Sequence, residues 1–184
     1  MRKVLLVVLL LMFCGAYAVA QDNPKGELFV GYSYLHIGIP GGTDNSVPTG
    51  FNADGTYYFA NALGLTADFQ YHHKDFGGGD TGSVFSFHGG PRFKLRAGKL
   101  EPFAHALFGV THVTLDSTGF PSESDNAFSM KLGGGLDVGA ARHFAIRLGE
   151  FNYYYTKFST GGFSSPGAPD HQNNFTFSAG IVIR

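Results

Sequence analysis

The sequence predicts an all-β protein, an eight-stranded antiparallel up-and-down transmembrane β-barrel preceded by a signal peptide. Three observations carry this prediction. Eight stretches alternate polar and apolar residues with period two. Each is close to the roughly 9–11 residues that a tilted strand needs to cross a bilayer. The gaps between them run long, short, long, short, long, short, long, which suits tight turns on one rim and larger loops on the other.

The chain opens with a leader. Arg2 and Lys3 form a basic start, and Val4 to Phe13 is an uninterrupted apolar run. Ala18-Val19-Ala20 is a small-x-small cleavage site, so residues 1–20 read as a secretory signal and 21–184 as one barrel domain beginning at Gln21. The apolar run is too short to span a bilayer as a helix. Cys14, the only cysteine, lies within the leader. Phe13 stands where lipidation of that cysteine requires a small residue, so a lipoprotein is not expected. The mature chain therefore has no thiol chemistry.

Composition narrows the functional classes. Loss of Arg2 and Lys3 takes the basic residues from 13 to 11 against 14 acids, a net charge of −3, which gives nothing to attract nucleic acid. Phe (19), Tyr (9) and Gly (27) are abundant and Trp is absent. No 18-residue apolar run exists, which excludes helical membrane spans.

The first strand is predicted over Glu27–Ile39, with Leu28, Val30, Tyr32 and Tyr34 on one face and Glu27, Gly31 and Ser33 on the other. Pro40-Gly41-Gly42 ends it, and a polar loop runs to Thr49. The second strand, Phe51–Phe59, sets Phe51, Ala53, Gly55, Tyr57 and Phe59 against Asn52, Asp54, Thr56 and Tyr58. A tight turn at Ala60-Asn61-Ala62 leads into the third, where Leu63, Leu65, Ala67, Phe69 and Tyr71 oppose Gly64, Thr66, Asp68, Gln70 and His72. Lys74–Gly82 reads as a glycine-rich loop. The fourth strand, Ser83–Leu95, puts Phe85, Phe87, Pro91, Phe93 and Leu95 opposite Ser86, His88, Arg92 and Lys94. Pro91 has no N–H to donate, so the ladder should be irregular there.

Arg96–Lys99 turns the chain into a fifth strand, Leu100–Val113. Ala104, Ala106, Phe108 and Val110 are assigned outward and Glu101, His105 and Thr111 inward. Thr114–Asn126 reads as a long polar loop. The sixth strand sets Phe128, Met130, Leu132, Leu136 and Val138 against Ser129, Lys131, Gly133, Gly135 and Asp137. In the seventh, Arg142–Phe158, the parity slips. Phe144, Ile146 and Leu148 share one phase, whereas Phe151, Tyr153 and Tyr155 have the other. An extra residue at Leu148–Gly149 reconciles them, which predicts a β-bulge and turns both Arg147 and Glu150 inward. The last strand, Asn173–Arg184, sets Phe175, Phe177, Ala179, Ile181 and Ile183 against Asn174, Thr176, Ser178, Gly180 and Val182.

Alternation alone does not say which face meets which solvent. An eight-stranded barrel has an interior just wide enough for side chains, and it could not pack all the phenylalanines of this chain. The aromatic residues are therefore expected toward lipid and the charges toward the lumen. Closure of the sheet then satisfies every backbone group internally. A soluble lipocalin-like barrel is the inverse alternative.

Several stretches resemble the small bacterial outer-membrane β-barrel family, in particular OmpA-like transmembrane domains and OmpX-type proteins. They are Gly31-Tyr32-Ser33-Tyr34-Leu35, Gly50-Phe51-Asn52-Ala53, Leu63-Gly64-Leu65-Thr66-Ala67-Asp68-Phe69, Gly90-Pro91-Arg92-Phe93, Pro102 through Gly109, and Gly133-Gly134-Gly135-Leu136-Asp137-Val138. The resemblance implies export through the Sec pathway to the outer membrane, periplasmic termini and external loops. It also implies barrel-assembly machinery, periplasmic chaperones and outer-membrane lipids as partners. Two departures stand out. The chain ends Ile183-Arg184 where the family ends in an aromatic residue, and no peptidoglycan-binding domain is expected after the last strand.

The inward charges Glu27, Asp68, Arg92, Lys94, Glu101, Lys131, Asp137, Arg147 and Glu150 are expected to form a structural network, because charges sealed in a narrow barrel must pair. Asp54 lies on the same polar faces. A gated channel would instead need a water path past them. Eight histidines raise the question of metal, but His72 and His73 point to opposite faces and no His-x-His or HExxH occurs. No metal, cofactor or catalytic set is expected. The one candidate dyad, Asp68 with His88, reads as inward polar pairing. The expected function is non-enzymatic, in membrane integrity or surface contact through the loops of a monomer. Phe163, Pro166 and Pro169 of the last loop are the expected contact residues. A narrow channel and a lipid-modifying enzyme are the alternatives. Placing a cation on the lipid face tests the facing: Phe69→Arg should cost about 2–4 kcal/mol near mid-bilayer, measured by denaturant unfolding in lipid vesicles.

Overall fold

The computed structural model describes residues 24–38, 46–119, 121–158 and 171–184. The leader, the predicted end of the first strand at Ile39 with the Pro40-Gly41-Gly42 turn, and Phe163, Pro166 and Pro169 lie outside the described residues.

Nine strands follow in order: β1 (Gly26–His36), β2 (Ser46–Val47), β3 (Thr49–Tyr58), β4 (Leu63–Gly77), β5 (Asp80–Lys94), β6 (Leu100–Asp116), β7 (Glu123–Ala141), β8 (Phe144–Phe158) and β9 (His171–Ile183). From β3 to β9 each pairs antiparallel with the next; β3 pairs with β1, and β1 pairs with β9 to close the sheet. Eight strands thus form the barrel, and β2 adds a two-residue ribbon on β1.

The register fixes the shape. From Val30 the successive partners around the barrel are Ala53, Phe69, Phe87, Val110, Phe128, Lys157 and His171. The register that sets Leu28 opposite Ile183 carries His171 to position 40, ten residues above the start. With about 3.3 Å per residue and about 4.8 Å between strands, that stagger tilts the strands by about 40°.

The two faces divide as the alternation requires. Outside, Phe151 is 69% exposed, and Phe87, Leu65 and Ile181 are similarly bare. Inside, Arg92, Lys94, Lys131 and Arg147 are all at 1% or less. This is the inverse of a water-soluble barrel. The bulge falls where the parity slip put it: Glu150 pairs with Ser178 and Arg147 with Gly180, leaving Leu148 and Gly149 opposite the single Ala179, one extra residue on the outer side. The β5–β6 ladder skips Gly90 and Pro91, the irregularity expected of a proline.

Two expected loops prove to be strand. β4 runs to Gly77 and β5 starts at Asp80, so only the tip of Lys74–Gly82 is a turn. Gly77, Gly78 and Gly79 have φ of 82°, 71° and 93°, which favours glycine there. Likewise β6 reaches Asp116 and β7 starts at Glu123, within the expected loop 114–126. Above the lipid no apolar face is demanded, so the ladder continues without alternation.

At the closing seam Gly31 faces Gly180. A Cβ on Gly180 would stand 2.4 Å from Gly31 Cα and from the Val30 carbonyl oxygen. Gly180→Val should therefore destabilise the refolded barrel by at least about 1–3 kcal/mol, read from denaturant midpoints in lipid vesicles. Wild-type protein should show the mobility difference between boiled and unboiled electrophoresis samples that marks a closed barrel.

Candidate functional site: an ionic network filling the lumen

The inward side chains stack in layers. At the short-turn mouth, Lys94 Nζ donates to Glu27 and to Asp137 Oδ2 at 2.8 Å, with Glu101 at 3.6 Å. Arg184 turns in from the end of β9, donating to Glu101 and lying 3.3 Å from Glu27 through Nε. Tyr58 hydroxyl donates to Glu27 at 3.0 Å, and the Arg96 guanidinium lies over the Tyr58 ring at 4.4 Å.

The next layer centres on Arg147. It donates through Nε to Asp137 (2.8 Å) and through Nη1 to Asp54 (2.7 Å) and Glu150 (2.6 Å). The bulge makes this possible, because it turns residues three apart in sequence to the same side. The Arg147 guanidinium also contacts the rings of Phe29 at 4.0 Å and Phe103 at 4.4 Å, so aromatic faces as well as carboxylates surround it. Arg92 donates to Asp54 (2.7 Å) and Thr56 (2.9 Å). His105 links Arg92 to Asn152, whose amide donates to Glu150 at 2.9 Å.

Toward the loop end, Lys131 and Asn52 both donate to Asp68. Neutral groups then take over: His72 with Ser33 (3.1 Å), Ser178 with Ser33 (3.1 Å), and Thr111 with Ser129 (2.8 Å) and Tyr154. Leu35, Val47 and Tyr154, backed by Ile37 and Val84, cap the lumen with an apolar cluster. β2 carries Val47 into that cap, and Lys74 Nζ holds the Ser46 carbonyl at 2.8 Å.

Among the described residues, six carboxylates (Glu27, Asp54, Asp68, Glu101, Asp137, Glu150) meet six fixed cations (Arg92, Lys94, Arg96, Lys131, Arg147, Arg184). That balance matters because an unpaired charge in a dry lumen is strongly destabilising, while a paired one is nearly neutral. Asp54 and Asp68 face each other directly across β3 and β4. Like charges there require separate cations, and Asp54 takes Arg92 and Arg147 while Asp68 takes Lys131.

The structure thus brings Arg92 to Asp54, Lys94 to Glu27, Glu101 and Asp137, Lys131 to Asp68, and Arg147 to Asp137 and Glu150. Sequence reasoning left Asp54 out of the network, although its parity and its place opposite Asp68 were readable from the tight 60–62 turn. It also missed the inward rings of Phe29 and Phe103 and the mouth residues Arg96 and Arg184, whereas Tyr58 was already set on the inward face with Asn52, Asp54 and Thr56. The apolar-out rule hides inward rings, and nothing in the pattern announces that terminal residues turn inward.

His88 sits 3.5 Å from Asp68 through Nδ1 and 2.8 Å from Ser129 Oγ through Nε2. The order is that of a hydrolase triad. Yet Asp68 is engaged by Lys131 and Asn52, Ser129 also accepts from Thr111, and all three side chains are sealed at 1% exposure or less. All three groups are thus engaged in the polar packing of the lumen. Among the described residues no group of three His, Cys, Asp or Glu side chains is disposed to hold a metal ion.

A closed sheet with bare aromatic rings outside and a neutralised charge network inside defines an integral membrane β-barrel. The chain belongs to the outer membrane protein beta-barrel domain family, whose profile matches residues 6–182, and it is a bacterial outer-membrane barrel. Similar solved structures share the fold. Ail, the attachment invasion locus protein of Yersinia pestis, is 20% identical with a TM-score of 0.56, covering 85% of this chain and 97% of Ail. Neisserial surface protein A is 12% identical with a TM-score of 0.66, covering 87% and 97%. OprG from Pseudomonas aeruginosa is 16% identical with a TM-score of 0.53, covering 86% and 94%. Comparison with curated protein sequences finds no match.

Removing the hub tests the network. Arg147→Met leaves Asp54, Asp137 and Glu150 short of a cation and should destabilise the barrel by about 3–5 kcal/mol in denaturant titrations.

Proposed function

We propose that the mature chain is a monomeric, non-enzymatic barrel that seals its own lumen and acts through its external face, in envelope integrity and surface contact. The observation that carries this reading is the filled interior. Charges occupy one half of the lumen, hydroxyl and imidazole groups most of the other, and Leu35, Val47 and Tyr154 close the loop end. A conducting path would have to break ion pairs at several levels.

The loop end offers a contact surface. β3 stops at Thr49, opposite His73, and β8 stops at Phe158, opposite Ala127. β4, β5, β6 and β7 continue beyond these points as a four-stranded wall. Phe76, 58% exposed, and Leu115 lie together on the lumen-side face of that extension, on either side of Gly82, with Lys74 Nζ 5.4 Å from the Phe76 ring. The wall together with the last loop, including Phe163, Pro166 and Pro169, is the proposed contact region. A fold shared with a protein named for attachment supports the reading.

Export through Sec with removal of residues 1–20, handling by periplasmic chaperones and the barrel-assembly machinery, and residence among outer-membrane lipids complete the proposal. No nucleic acid is involved. Planar-bilayer recording tests the seal: purified barrel should give no reproducible single-channel steps. Steps would overturn the sealed reading in favour of a narrow channel. The lipid profile of cells with and without the protein should be unchanged; an altered acyl pattern would favour a lipid-modifying enzyme.

A further inference from the structure

The lipid-facing wall is not evenly covered. Near the short-turn rim a groove of about 680 Å³ crosses β9, β1, β3 and β4. Leu28, Tyr57, Leu65 and Ile183 stand along it, all exposed, and Gly55 and Ala67 leave it low between them. The ladders bring these residues together: Leu28 lies between Ile183 and Gly55, Gly55 beside Ala67, and Tyr57 beside Leu65. The groove ends at Gly26 and Arg184, where β1 begins and the chain leaves β9.

Gly55 calls for a physical reason. A glycine inside a strand costs conformational entropy and packs nothing, so it marks a bulge, a bend or a close approach. At Gly31, Gly109 and Gly180 the approach is that of the protein itself, since an added Cβ would fall within 2.4 Å of a backbone atom of the next strand. Gly55 differs from all of these. Its pairing is regular on both sides, its φ is not positive, and a Cβ there would meet nothing within 4 Å. No described residue fills the space above it, on a face that meets hydrocarbon. The rim beneath adds charge. Outside the lumen its described residues include Lys25, Lys99 and Arg142 and no carboxylate, and exposed Lys25 directly precedes Gly26 of the groove. Tyr57, next to last in β3, is the residue type that stands at a bilayer interface.

We propose that this groove holds one acyl chain of an anionic phospholipid from the leaflet on the short-turn side, with the phosphate at Lys25. The groove is continuous with the lipid interface of the barrel, so its occupant is drawn from that interface. A chain lying over Gly55 and Ala67 reaches backbone that a larger side chain would cover, and Leu28, Tyr57, Leu65 and Ile183 flank it. Dispersion attraction grows with the number of such contacts. A phosphate at headgroup level beside Lys25 adds charge attraction. A second copy of the chain seated in the same place would set these rim cations against their own kind. The inference rests on the membrane-spanning fold of the barrel and not on its proposed contact role.

Native mass spectrometry of the mature barrel, released from nanodiscs of equal phosphatidylglycerol and phosphatidylcholine, tests it. The wild type should retain one phospholipid, with phosphatidylglycerol preferred several-fold. G55L fills the groove without a clash in the wall, so it should keep the wild-type denaturant midpoint and lose most of the retained lipid. K25Q should retain lipid and lose the preference for phosphatidylglycerol. A104L, on the outward face of β6 away from the groove, should behave as wild type. The boiled-against-unboiled mobility shift verifies that each variant is folded. Should G55L not fold, A67L should reduce retention in its place. No lipid on the wild type, or undiminished retention in the folded groove variants, would overturn the proposal. Equal retention of the two lipids by the wild type would overturn the anionic headgroup. A doubled mass that G55L abolishes would replace the lipid with a second copy of the chain.

Discussion

Every backbone donor and acceptor in hydrocarbon must find its partner within the protein, and this sheet meets that constraint by closing β1 on β9. Much else follows from the closure. Eight strands with a ten-residue stagger leave a lumen the width of a few side chains. The same seam demands close approach, which Gly31 and Gly180 permit. Once the wall is fixed, the alternation of each strand sends one set of side chains to lipid and the other into a narrow, water-poor interior.

That interior then imposes its own rule. Charges cannot be left single where solvent is scarce, so the lumen is close to neutral and its members are shared. Asp54 serves both Arg92 and Arg147, Asp137 serves both Arg147 and Lys94, and Glu27 receives Lys94 and Tyr58. Aromatic faces take part as well. Phe29 and Phe103 border Arg147, giving a buried cation contacts that further carboxylates would supply only by upsetting the balance. The network thereby cross-braces β1, β3, β5, β6, β7 and β8 through the centre of the barrel, while β2 and the apolar cap close the loop end. A filled, cross-braced lumen is the observation on which the proposed contact role rests.

The outside is itself differentiated by height. Aromatic and aliphatic residues line the hydrocarbon belt, and a four-stranded wall rises beyond its loop-side edge. Each band matches the solvent at its level, acyl chains for the belt and water for the wall.

The sequence by itself determined the number of barrel strands, their facing and the β8 bulge. In a wall between lipid and lumen, parity is fixed residue by residue, so Phe151 and Arg147 declare their sides locally. It also disclosed most members of the charge network, though Asp54 was passed over. Beyond the lipid the constraint lapses. Both faces of the wall meet water, so Lys74–Gly77 and Asp80–Gly82 lost their alternation and read as loop. Which carboxylate meets which cation was decided only by tertiary structure. Those contacts run across the lumen between strands distant in the chain, such as Asp54 and Arg147, and they depend on the stagger that closure imposes. The same holds for the level at which any residue of the wall stands. Height around a tilted barrel is a property of the whole register, and no single stretch of sequence contains it.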